Sequence, residues 1–142
     1  MRIGIDVRSL SKPKSGIGIY TLNLLKSLLE LDRENQYYLY SCRDFEFEEY
    51  ENVKIRKFPF PNGTLWIQLI LPFLLLFDRI NIFHSTETML PLISNVPAIA
   101  TVHDLISFLY PKGHDKKALL ASKLFPFVFK RYGKLFNVCL QN

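Results

Sequence analysis

The sequence predicts an α/β fold, a mostly parallel sheet covered by helices on both faces. Three observations carry that expectation. Short β-branched and aromatic runs alternate with longer segments whose apolar residues recur at three- and four-residue spacing. The chain has 142 residues and is 49% hydrophobic with 6 glycines, the size and composition of one cored domain. No internal repeat or low-complexity tract suggests a solenoid, a collagen-like chain or disorder.

The elements follow in order. Residues 2–7 (RIGIDV) predict a first strand. Residues 8–18 form a polar loop containing Pro13, Gly16 and Gly18. A helix is expected from Gly16 to Asp32, because Ile17, Thr21, Leu24, Leu25, Leu28 and Leu31 share one helical face. Ser15 is placed to cap it by accepting from an orphan backbone N–H. Two strands come next, residues 36–42 and 53–58, separated by an acidic loop from Asp44 to Glu51.

Residues 59–63 (PFPNG) predict a turn, and residues 64–77 (TLWIQLILPFLLLF) a buried helix kinked at Pro72. A bilayer span takes about 20 residues, so this run is too short for one. Strands at 80–84 and 97–102 follow, joined by a polar loop to Pro91. A helix over 115–134, interrupted by Pro126, precedes an apolar strand-like stretch at 135–140.

The formal charge of +5 is uneven. From Lys112 to Asn142 there are seven cations and one carboxylate, a net +6, so residues 1–111 sum to −1. That distribution excludes a general basic coat for nucleic acid and isolates one basic helix. On that helix Leu120, Leu124 and Phe127 fall among Lys116, Lys117, Lys123, Lys130, Arg131 and Lys134. Two readings stand: a surface resting on anionic lipid, or a solvated face whose leucines are covered by a neighbouring loop or domain. Cys42 and Cys139 lack the spacing of a metal knuckle or redox pair, and MRIGIDVRSL is no signal peptide. The expected compartment is reducing, the cytoplasm.

In such sheets ligands bind beyond the carboxyl ends of the strands, which singles out three loops. The first carries Gly16, Ile17 and Gly18 ahead of a helix, with Lys12 and Lys14 nearby. It reads either as a tight turn or as an anion cradle. It is neither a full dinucleotide fingerprint nor a P-loop. The second carries His84, Ser85, Thr86, Glu87 and Thr88. Its hydroxyls suit a sugar or cap the next turn, and His84 among apolar neighbours reads as structural. The third ends in His103-Asp104, which either supplies a tunable donor or caps the following turn. No nucleophile elbow and no metal-ligand spacing is visible.

Taken together, IGIDVRSL at 3–10, SGIGIYTLNLLKSL at 15–28, NIFHSTETMLPL at 81–92 and VPAIATVHDLISFLYP at 96–111 resemble the N-terminal domain of retaining GT-B glycosyltransferases. The likeness is to glycosyltransferase family 4, nearest to mannosyltransferase-like members, and it covers essentially the whole chain. It implies a three-layer Rossmann-like domain of strand order 3-2-1-4-5-6, the acceptor-side half of a two-domain enzyme. The implied reaction transfers a sugar from a nucleotide sugar to a glycan or lipid-linked acceptor with retention, without a metal.

The resemblance assigns Gly16, Ile17 and Gly18 to the substrate phosphates and acceptor. It sets His103, with Asp104 beside it, at the transferred sugar, and Ser85 and Thr86 fall in the adjoining substrate loop. Three features depart from the family pattern. Ile19 stands where an Arg is common, and Thr86 where a Pro is common. The E-x7-E of the donor domain is also absent. The implied partners are therefore a nucleotide sugar, the acceptor and a donor-binding C-terminal domain outside these 142 residues, with the fragment alone inactive; an anionic membrane surface is a partner only in the lipid reading of helix 115–134.

In the implied strand order Cys42 and Cys139 sit four strand spacings apart, roughly 19 Å. That is beyond the ~7 Å reach of a disulfide, so both are expected as free thiols. The alternative function is a non-catalytic module that binds anionic lipid or a partner domain through helix 115–134. A stand-alone nucleotide-binding protein fits less well, since Cys42 and Arg43, not an acidic ribose-binding residue, follow the second strand.

Overall fold

The computed structural model describes residues 1–12, 15–103 and 136–137. The expected helix 115–134, together with Asp104 and Cys139, lies outside the described residues. Six strands form one sheet: β1 Arg2–Asp6, β2 Gln36–Ser41, β3 Val53–Lys57, β4 Ile82–Ser85, β5 Ala98–Thr101 and β6 Phe136–Asn137. Their order is β3-β2-β1-β4-β5-β6 and every pairing is parallel. The strand order expected from the sequence is the one observed, and the ends of β1 to β5 fall within two residues of those expected.

Period-2 alternation sorts each strand into the two faces. On one face Ile5, Val7, Tyr37 and Leu39 pack under Leu25 and Leu29 of α1, residues Gly16–Leu31. On the other, Tyr38, Tyr40, Phe83, Ala98 and Ala100 pack under Trp66, Ile67, Leu71 and Leu75 of a second helix over 63–77, here α2. The domain is a three-layer, Rossmann-like α/β sandwich. No helix among the described residues is long and apolar enough to cross a membrane.

α1 starts as its sequence indicates. The Ser15 side chain accepts from the Gly18 N–H at 3.0 Å. Ahead of it, where a polar loop was expected, Arg8–Ser11 form a 3-10 turn.

α2 departs from expectation in two ways. It has an α turn at Gly63–Leu65, a π-helical stretch at Trp66–Ile70 and a further α segment at Leu71–Phe77. The irregularity thus sits just before Pro72 rather than as a break at it. Proline has no N–H to give Gln68, and in a regular helix its ring would press on the Gln68 carbonyl. The wider turn relieves that contact, with the Leu71 N–H bonding to the Trp66 carbonyl. Nor is the helix buried on all sides: Leu65, Leu69, Phe73, Leu76 and Phe77 are exposed.

Candidate functional site

The loops behind β1, β2, β3 and β4, at the carboxyl edge of the sheet, surround a cleft of about 320 Å³. Its walls include Arg8, Lys12, Ser15 and Ile17 on the β1–α1 side. Cys42 and Arg43 line it behind β2, Asn62 and Gly63 at the start of α2, and Glu87 behind β4.

Arg8 organises this cleft. Asp6 ends β1 only 1% exposed. The Arg8 guanidinium donates to both of its oxygens, from Nε at 3.0 and 3.1 Å and from Nη2 at 2.8 Å. Nη2 also donates to Glu87 Oε2 at 3.0 Å, and Nη1 to the Gly63 carbonyl at 3.3 Å. One planar fork therefore ties three segments that are far apart in sequence. Burial works against the Arg8 charge, but Asp6 more than offsets it and holds the group above its usual range. Burial, with Asp6 nearby, pushes the Glu87 carboxyl above the usual carboxylate range, and Arg8 opposes that rise.

Two glycines make the arrangement possible. A Cβ at Gly18 would lie 2.7 Å from the Lys12 carbonyl oxygen, so the 3-10 turn closes onto α1 only without a side chain there. A Cβ at Gly63 would lie 2.9 Å from Arg8 Nη1. Gly16, by contrast, is open, and Ile17 faces the cleft.

The expected substrate-loop residues reach the site in a different capacity. Ser85 and Thr86 are fully buried. The Ser85 hydroxyl donates to the Glu87 carbonyl at 2.7 Å, and that of Thr86 to the Asp6 carbonyl at 2.8 Å. Both brace the β4 loop against β1, and neither hydroxyl is open to a ligand.

His103 does lie at this edge. Its Nε2 sits 2.9 Å from the Thr86 carbonyl. A carbonyl only accepts, so Nε2 carries the proton. Tyr20 of α1 meets the imidazole edge-on, with ring centroids 4.9 Å apart. The Tyr20 hydroxyl lies 3.2 Å from Thr101 Oγ1, which in turn lies 2.9 Å from His84 Nε2. His84 is thus structural, as its apolar neighbours suggest.

Asp6 and Arg8 were missed as site residues. The available signal was a carboxylate closing an apolar strand with a cation two residues on. Cys42 is a buried free thiol, and burial pushes its pKa up, so its sulfur in the cleft wall is not an activated nucleophile.

Burial lowers the His84 pKa, with Asp6 opposing. The unfolded chain therefore binds more protons than the folded one just below about pH 6.5. The His84 contribution to stability is full above that value and lost as pH falls through it. The melting temperature should drop between about pH 7 and pH 5, and His84→Gln should flatten that part of the curve. An unchanged slope in the variant would assign the pH dependence elsewhere.

Compared with known proteins, the chain matches no family model and no curated relative.

Proposed function

We propose that this chain is the acceptor-side N-terminal domain of a retaining GT-B glycosyltransferase resembling family 4. The whole protein would move a sugar from a nucleotide sugar to a glycan or lipid-linked acceptor. The observation that carries the reading is the convergence, at one carboxyl edge of a parallel sheet of order β3-β2-β1-β4-β5-β6, of the glycine turn, the Arg8 clamp and His103. Ligands collect at that edge in open α/β sheets.

The chemistry of the edge supports the same reading. A cleft with Lys12 and Arg43 in its walls, beside an Arg8 whose charge is met by Asp6 and Glu87, favours a ligand carrying phosphate. Fixed cations and backbone dipoles that meet a leaving diphosphate stabilise the charge developing on it. His103, with Nε2 held by the Thr86 carbonyl, keeps Nδ1 as a hydrogen-bonding group for a sugar hydroxyl. Asp6 and Glu87 are engaged by Arg8 and serve the shape of the cleft. In this reading the donor nucleotide is held chiefly by a second domain across the cleft.

The test is an assay of the gene's whole product with a panel of nucleotide sugars. Transfer should retain anomeric configuration, and His103→Ala should lower the rate by roughly 100-fold with the fold intact. The purified 142 residues should transfer no sugar. Transfer by them alone, or none by the whole product with any donor in the panel, overturns the reading.

A further inference from the structure

The face of α2 turned away from the sheet has no counterpart in the proposed reaction. Residues 63–77 contain no charged side chain. Phe73, Leu76 and Phe77 are 73%, 74% and 82% exposed, and Leu69 joins them within an arc of roughly 100°. Isolated exposed apolar residues are ordinary, but a contiguous stripe of large ones on a single helix marks a contact surface.

The surroundings of the stripe indicate its partner. α2 begins at the cleft, where the Gly63 carbonyl accepts from Arg8. It ends at the opposite, amino edge of the sheet, where the Asp78 carbonyl accepts from Arg2. Its length of about 22 Å separates the two ends. The most exposed residues therefore lie at the far end from the cleft.

Cations gather at that same end. Arg56 pairs with Asp78 at 2.8 Å, and Lys54 and Arg56 both lie over the ring of Tyr38, on the α2 side of the sheet. Arg79 follows in the left-handed conformation, exposed. Arg2, Lys54, Arg56 and Arg79 thus lie on this side with Asp78, whose carboxylate is already held by Arg56 and the Tyr40 hydroxyl. An isologous contact with a second copy would bring these like charges together. An anionic lipid surface instead accepts the apolar stripe and neutralises its cationic rim.

We infer that the exposed face of α2, centred on Phe73, Leu76 and Phe77 with Lys54 and Arg79 at its rim, rests on anionic phospholipid. The inference is independent of the reaction assigned to the cleft and of helix 115–134.

Vesicle flotation of the 142-residue chain tests it, with phosphatidylcholine alone and with roughly one-third phosphatidylglycerol, at about 50 mM and about 500 mM salt. The chain should float with the anionic vesicles at low salt. Phe73→Ser/Phe77→Ser should lower partitioning by roughly tenfold or more, with circular dichroism and melting temperature preserved, since both positions are exposed. Leu76→Gln alone should lower it by about threefold, which keeps the surface readable if the double variant misfolds. Lys54→Glu/Arg79→Glu should abolish the preference for anionic vesicles.

Three results overturn the inference. One is no flotation at low salt. Another is flotation that survives the α2 substitutions but is lost on reversing Lys116, Lys117 and Lys123, which moves the membrane face to the basic helix. The third is a concentration-dependent dimer, broken by the serine variants, in a chain that binds no vesicles, which gives the stripe to a second copy.

Discussion

Arg8→Met should destabilise the domain by about 3–5 kcal/mol, because it leaves the Asp6 carboxylate buried without its counter-charge. The pair is deep enough for this magnitude: the Asp6 side chain is 1% exposed and that of Arg8 12%. Surface ion pairs contribute far less, since water screens and solvates both partners. Against a total stability of about 5–15 kcal/mol, the loss is a large fraction. The melting temperature should fall by roughly 10 °C or more. Arg8→Lys should lie between wild type and Arg8→Met, because an ammonium supplies the charge without the planar fork that reaches Asp6, Glu87 and Gly63 together.

The companion variant separates charge burial from packing. Asp6→Asn/Arg8→Met removes both charges, so it should recover part of the loss, with a coupling energy of about 2 kcal/mol in a double-mutant cycle. Thermal and denaturant unfolding of the four proteins checks this. If Arg8→Met melts within about 2 °C of wild type, the buried pair is not what holds the strand ends together.

This clamp also shows where sequence reading stops. Asp6 and Arg8 are two residues apart, the first inside the expected strand 2–7 and the second opening the loop after it, and neither was singled out. Their importance comes from Gly63 and Glu87, 55 and 79 residues away from Arg8, which only the folded sheet brings close. Ser85 and Thr86 show the converse. A hydroxyl after a strand is a fair ligand candidate, yet the Glu87 and Asp6 carbonyls bind both of them. Parallel strand register decides that, since Asp6 pairs with Ser85 across β1 and β4.

The succession of strands and helices was legible in the alternation of periods, and the strand order in the resemblance of four segments spread along the chain. Helix α2 was legible as a helix and illegible in its details. In residues 64–77 almost every position is apolar, so periodicity cannot say which side meets the sheet. It also cannot reveal that one turn runs in π register, because a one-residue shift within a uniform run leaves no trace. The exposed Phe73, Leu76 and Phe77 were hidden for the same reason.

The second large effect belongs to the buried side of that helix. Trp66 is the one tryptophan of the chain and is fully buried against the sheet, with the Arg8 guanidinium 6.0 Å from its ring centroid. Trp66→Ala should cost about 3–5 kcal/mol, combining lost transfer free energy with a cavity that the π stretch of α2 can only partly collapse. Trp66→Phe should cost much less, about 1 kcal/mol. It retains an aromatic ring under Arg8 and gives up an indole N–H that finds no acceptor among the described residues. A buried donor left unpaired costs about 1–3 kcal/mol, so its removal offsets much of the lost ring area.

Denaturant unfolding followed by circular dichroism measures both variants, since tryptophan emission disappears with the residue. The separation between Ala and Phe is the informative quantity. Equal destabilisation would mean that a single ring does not fill the site and that the core requires the whole indole. A wide gap would make Trp66 a packing wedge that seats α2 on the sheet and supports Arg8 from below, so that loosening it alters the cleft at the strand ends as well as the stability of the core.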